Sequence, residues 1–141
     1  CRGGNRGCLE AIASGPAIAR QLRERGIDAP DGRAVLELVR GGNVEAIQAV
    51  RQAGRDIGEV LTAAVSFINP AVIALGGSMA QAGEHLIVGV REVIFSRSRP
   101  RATAHLAIAP SPAGSRAAVI GAGVLAIGHA LAPENLAVAL G

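Results

Sequence analysis

The sequence predicts an α/β fold, with one long helix and several shorter ones laid against a small, mostly parallel sheet. Three observations predict it. From Asn43 to Ile68 apolar and small residues recur in alternating steps of three and four, the period of one helix face. Two short apolar runs, Ala71–Leu75 and Ala104–Ala109, are too short for packed helices and suit strands. Helical stretches separate these runs, so the order is helices, long helix, strand, helix, strand, helix. Such an order reads as half of a larger α/β domain, with fewer strands than its sheet wants.

Taken in order, Leu9 to Arg25 is helical in pattern, with a break at Ser14-Gly15-Pro16. There Ser14 can cap and Pro16 fits the first turn of a new helix. Ile12, Ile18 and Leu22 form its inner face. Gly26 ends the segment, and Asp28-Ala29-Pro30-Asp31-Gly32 is a turn by composition. A short helix follows over 33–40, with Val35, Leu36 and Val39 inward, and Gly41-Gly42 stops it.

Asn43 opens the long helix, whose stripe is Ile47, Val50, Gly54, Ile57, Leu61, Ala64 and Ile68. Glycine inside a helix costs about 1 kcal/mol relative to alanine, so Gly54 and Gly58, one turn apart, imply close approach by a crossing helix or a ligand. Asn69-Pro70 ends the helix, because the residue before proline avoids helical angles. Ala71–Leu75 is then a strand expected to be buried on both faces. Gly76-Gly77-Ser78 leads from it into a helix expected over Met79–Phe95. After the second strand, Pro110–Gly114 turns the chain and Ser115 is placed to cap a last helix reaching about Leu131. Gly121, Ala122 and Gly123 narrow that helix for tight packing, and the tail from Pro133 adds one more turn.

A chain of 141 residues, 50% of them apolar, can bury one sizeable core, and we expect a single unit over residues 1–141. It opens on Cys1 without a secretory pattern, and its apolar runs are too short to span a bilayer. A reducing cytoplasm and an upstream continuation of the chain are the expectation. All fourteen basic residues are arginine, at a net charge of +3. Without clustering on one face or interleaved aromatics (Phe67 and Phe95 are the two present), this composition does not describe a nucleic-acid surface.

The chemistry concentrates at Cys1–Glu10. Two thiols seven residues apart, with Gly3, Gly4 and Gly7 between them and Glu10 just beyond, describe a tight loop entering a helix. On spacing alone the loop is either a soft-metal corner with two of four ligands or a glycine-rich surface turn. Gly76-Gly77-Ser78 presents a second choice, between backbone amides offered to an anion and a plain strand-to-helix turn. His85, His105 and His129 lie far from the thiols in sequence.

These segments together resemble the C-terminal half of the ROK family, which groups sugar kinases with sugar-responsive transcriptional repressors. The family signature is Cys-x-Cys-Gly-x-x-Gly-Cys-x-Glu. This chain supplies Cys1, Gly4, Gly7, Cys8 and Glu10, but has Gly3 at the middle cysteine. Ala13-Ser14-Gly15, Asn69-Pro70 with Val72–Gly77, and Gly121-Ala122 also match. The resemblance implies an actin-like ATPase (ribonuclease H-like) architecture, of which this would be most of the second domain. It implies zinc-ligand positions at Cys1 and Cys8, a sugar contact at Glu10, and nucleotide approach at Gly76, Gly77 and Ser78, Ser78 standing where many of the kinases have a third glycine. No catalytic residue is implied, because the phosphate loop and catalytic aspartate belong to the upstream domain. Two functions follow. One is the sugar-sensing half of a repressor, whose DNA contact lies in an N-terminal domain; Ile12, where kinases often have tyrosine, favours it. The other is the nucleotide-side half of an ATP- and magnesium-dependent sugar kinase. A structural, dimer-forming half without a ligand of its own is the third reading, and a homodimer is expected in any case.

Overall fold

The computed structural model describes residues 3–4, 7–99, 103–133 and 135. Helix α1 (Glu10–Ala13) and α2 (Gly15–Glu24) meet at Ser14, the expected break. The Ser14 hydroxyl accepts from the Ala17 amide at 3.4 Å, which starts α2. Helix α3 (Gly32–Arg40) begins one residue earlier than the pattern suggests, because Asp31 is its cap. Its Oδ1 accepts from the Arg33 and Ala34 amides, both at 2.9 Å. Asp31→Ala is expected to cost about 1 kcal/mol of stability, seen as a lower urea midpoint.

Helix α4 (Val44–Ile68) is capped by Asn43, whose Oδ1 accepts from the Ala46 amide at 3.0 Å. It ends at Asn69, a non-glycine residue with φ +48°, followed by Pro70. The predicted stripe holds through its middle, where Val50 and Gly54 are buried and Ile57 and Leu61 half-buried. It fails at its end, where Ile68 is 73% exposed while Val65 in the same turn is fully buried, since nothing among the described residues covers the Ile68 side.

Strand β1 (Val72–Leu75) pairs in parallel with β2 (Ala107–Pro110), with Val72 opposite Ala107 and Leu75 opposite Pro110. Ile73 and Leu75 face the core, but Val72 and Ala74 are exposed. The strand is therefore covered on one face, not both, because no described element packs on the other. The second strand starts three residues later than expected. Residues 103–105 form a turn closed by Leu106 N–H donating to the Thr103 carbonyl at 3.2 Å. Pro110 joins the strand, which an edge position allows because no ladder donor is needed there.

The expected helix over Met79–Phe95 is two elements. Ser78–Ala82 is a 3-10 turn, and α5 (Glu84–Arg97) starts beyond Gly83, whose φ of +64° no continuous helix admits. A second 3-10 turn, Gly114–Arg116, precedes α6 (Ala117–Ala130), so Ser115 lies within that turn and Arg116 holds the N-cap position. The packing expected of α6 on the sheet is not seen. Val119 and Leu125 are 75% and 76% exposed, and a Cβ built on Gly121 or Gly123 would meet nothing within 4 Å. Most of the tail after Pro133 lies outside the described residues.

Two apolar clusters hold the fold. The first joins α1, α2 and α3 to the N-terminal half of α4 and to Met79, with Ile18, Leu22, Val35 and Val50 fully buried. The second joins the C-terminal half of α4, α5 and the sheet through Val65, Ile87, Val90, Ile94 and Ile108, and Ile57 touches both. Of the two readings for Gly54 and Gly58, the crossing helix is the one found. It is α5, which presents Gly89 to Gly54.

Ion pairs lace the same two helices on their outer side. Glu92 takes Arg51 on one carboxylate oxygen and Arg55 on the other, the latter at 3.1 Å, and Arg97 reaches Glu59 at 3.0 Å. Hydrogen bonds from Arg51 and then Arg55, helped by the charges of the two guanidinium groups, hold the Glu92 carboxyl below its ordinary value, against an opposing effect of burial. A folded-state pKa lowered in this way adds stability above the unfolded value, and that increment is lost as pH falls through the folded one. The difference in Tm between the parent and Glu92→Gln is therefore expected to be largest near neutrality and to close in acid. High salt should shrink it, because the groups are exposed.

Candidate functional site

Glu10 is the first residue of α1, and its side chain is exposed. It borders a shallow depression of about 220 Å³, lined also by Leu9, Ala13, Ser14 and, from α4, Ile57. An ionised carboxylate beside an apolar floor can accept from two neighbouring hydroxyls while the floor takes the C–H face of a ring. The loop before it turns through Gly4 and Gly7, at φ +75° and +76°, angles that favour glycine. Cys8 is half-buried at the loop's end. Cys1 lies outside the described residues.

A structural zinc site takes four donors. This stretch offers thiols at two of the three signature positions, and Gly3, exposed, brings no donor to the third. Among the described residues no three of His, Cys, Asp or Glu come together, so those residues do not fit a closed zinc site. His105 and His129 are exposed at the surface, and His85 is half-buried near the start of α5.

Gly76, Gly77 and Ser78 follow β1 directly and are all exposed. Gly77, at φ +92°, makes the bend that a side chain would resist. The start of the loop is tied to the segment that follows β2, where the Ser111 amide donates to the Leu75 carbonyl at 2.8 Å. An α-helix does not begin here, so the amides on offer are those of a glycine turn and a five-residue 3-10 segment.

Ser78 lines a cleft of about 500 Å³ together with Pro16, Arg33, Leu36, Arg40 and Gln81, whereas Gly76 and Gly77 do not line it. Its floor is a backbone contact between the starts of α2 and α3. A Cβ on Gly15 would lie 3.1 Å from the Gly32 Cα. The Glu10 depression and the Ser78 cleft therefore flank the α1–α2 junction, Ser14 lining one and Gly15 and Pro16 the other. Sequence reasoning missed the contribution of α3. The signal was present, since Arg33, Leu36 and Arg40 recur at three and four residues on one helix face.

Three comparisons bear on this geometry. The glucokinase of Thermotoga maritima is 26% identical over 136 residues, which is 86% of this chain and 43% of that protein. The xylose repressor of Bacillus spizizenii is 27% identical over 133 residues, covering 93% of this chain and 34% of that one. Among solved structures, a ROK family transcriptional regulator described as a homologue of the E. coli MLC protein superposes with a TM-score of 0.69 at 26% identity, over 78% of this chain and 30% of that one. The chain thus spans less than half the length of the curated relatives it matches. Kinases and regulators both stand among them, on the actin-like ATPase architecture that the resemblance implied. The ROK family model matches residues 1–129, the loop, both candidate sites and the two-stranded sheet included, and the chain belongs to the ROK family.

Proposed function

We propose that this chain is the sugar-sensing, effector-binding half of a ROK-type transcriptional regulator, with Glu10 as its sugar contact. The observation that carries this is the Glu10 carboxylate, set exposed at the start of α1 over the Leu9, Ala13 and Ile57 floor. An exposed carboxylate can exchange water for sugar hydroxyls without stranding a buried charge, and charge-assisted hydrogen bonds are the stronger kind. The sequence Ala11-Ile12-Ala13-Ser14 after the loop supports the regulator branch. In the full-length protein, sugar bound at this corner would shift the relative stability of two domain arrangements, and DNA affinity with it. DNA itself would be met by an N-terminal domain, in a cytoplasmic homodimer. No described helix is long and apolar enough to cross a membrane.

One observation favours a second reading, the nucleotide-side half of a sugar kinase. The Ser78 cleft has the size of a nucleoside site, with Asp31, Arg33, Arg40, Ser78 and Gln81 as polar groups and Leu36 and Pro16 as apolar ones. Ser78 would then meet the nucleotide in the cleft, with Gly76 and Gly77 leading to it from β1 and with ATP and magnesium as cofactors. Sugar-dependent ATP turnover by the full-length protein separates the two. The regulator reading expects none above background, while sugar still binds; turnover within the ordinary kinase range of about 1–100 per second would replace it with the kinase reading.

A further inference from the structure

Helix α1 carries Glu10 and is four residues long, so its backbone ladder is a single turn, Ala13 N–H to the Leu9 carbonyl at 2.8 Å and Ser14 N–H to the Glu10 carbonyl at 3.3 Å. Its last carbonyls would be left to water were it not for two side chains of α2. The Arg20 guanidinium donates to the Ala11 carbonyl at 3.0 Å, and the Gln21 amide donates to the Ile12 carbonyl at 3.3 Å. The Glu10 carbonyl accepts from the Ser14 amide at 3.3 Å, so three successive carbonyls of α1 are satisfied from outside its own span. Leu9 and Ala13 anchor the opposite side of the turn in the first apolar cluster. Helix α2 is itself fixed by the fully buried Ile18 and Leu22, which sets Arg20 and Gln21 beside α1.

The family resemblance implies zinc-ligand positions in the loop before α1, and Gly3 brings no donor to one of them. We propose that in this chain Arg20 and Gln21 hold the Glu10 corner in place of a metal ion, as positioning residues for the Glu10 carboxylate. The functional half of this statement rests on Glu10 being the sugar contact. The structural half does not.

The test uses hydrogen exchange at the Ala11–Ser14 amides of the full-length protein, read with and without a chelator, with and without added zinc, and again in an Arg20→Met/Gln21→Met variant. Methionine keeps the helix propensity and the apolar stem and removes the donors. The expected result is protection in the parent that neither chelator nor zinc changes, and a loss of roughly tenfold in the variant. Arg20→Lys, which can still donate to the Ala11 carbonyl, should restore about half of the loss on a logarithmic scale when placed beside Gln21→Met. Protection that collapses on chelation, or that survives in the double variant, overturns the proposal. Sugar titration is the second arm. The double variant should weaken binding roughly fivefold, and Glu10→Gln should then have a smaller effect than in the parent, a non-additivity that general destabilisation does not produce. Sugar binding that is absent in the parent, or unchanged by Glu10→Gln, counts against Glu10 as the contact, and the exchange arm still decides what holds α1.

Discussion

Gly54→Ala is expected to lower stability by about 3 kcal/mol or more, or to prevent folding outright. A Cβ on Gly54 would fall well inside contact distance of the Leu86 carbonyl oxygen and 3.1 Å from the Gly89 Cα. A Cβ on Gly89 would meet the Arg51 carbonyl oxygen in the same way, and would lie 3.0 Å from the Arg55 nitrogen. The opposing atoms are backbone, so no rotamer change relieves the clash and the two helices must separate. Overpacking a core costs typically 1–3 kcal/mol where side chains can shift, and more where they cannot. Against this, alanine gains about 1 kcal/mol in helix propensity, too little to offset it. Separation would also open the second cluster around Ile87, Val90 and Ile94, and pull Glu92 away from Arg51 and Arg55. Gly121→Ala on α6 is the control. With open space around the site, only the propensity term remains, and the change should be neutral or slightly stabilising. Urea denaturation of the two variants measures this. Equal midpoints for Gly54→Ala and Gly121→Ala would mean that α4 and α5 do not cross at Gly54 and Gly89.

Glu10→Gln is expected to reduce sugar affinity by roughly 10- to 100-fold while leaving Tm within a degree or two. Hydrogen bonds to a charged group contribute about 1.5–3 kcal/mol, and the neutral amide loses that advantage together with one of its two acceptor oxygens. The side chain is exposed at the surface end of α1, so stability has little stake in it. That division matters for interpretation. A variant that lost both affinity and Tm would have damaged the corner itself, as Arg20→Met with Gln21→Met is designed to do.

Much of the fold was legible because local chemistry and tertiary contact agree. Ser14 and Asn43 cap where the sequence puts them, Asn69-Pro70 ends α4, and the glycines of α4 meet a crossing helix. Legibility failed where one residue conformation or one missing neighbour decides. Gly83 and Gly89 look alike in sequence, yet the first takes φ +64° and breaks a helix while the second lies inside one, pressed against Gly54. Asp31 was read as part of a turn because its aspartate and glycine neighbours suit one, although its carboxylate starts α3. The outer face of β1 and the whole of α6 have apolar sequences that promise burial, but composition cannot say what supplies the cover. Glu10 was found through the cysteine signature; spacing alone gave it little weight, since a lone carboxylate at a helix start is common. The α3 side of the Ser78 cleft needed the fold, because Arg33 and Arg40 reach it from about forty residues away in sequence.

Calorimetric titration of the full-length protein with simple hexoses and N-acetylated sugars, in the parent and in Glu10→Gln, is the most direct measurement of what this corner does. One or more sugars should bind the parent, and the same sugars should bind Glu10→Gln at least about tenfold more weakly, with unchanged Tm. Equal affinity in the two proteins would contradict the assignment of Glu10 as the sugar contact.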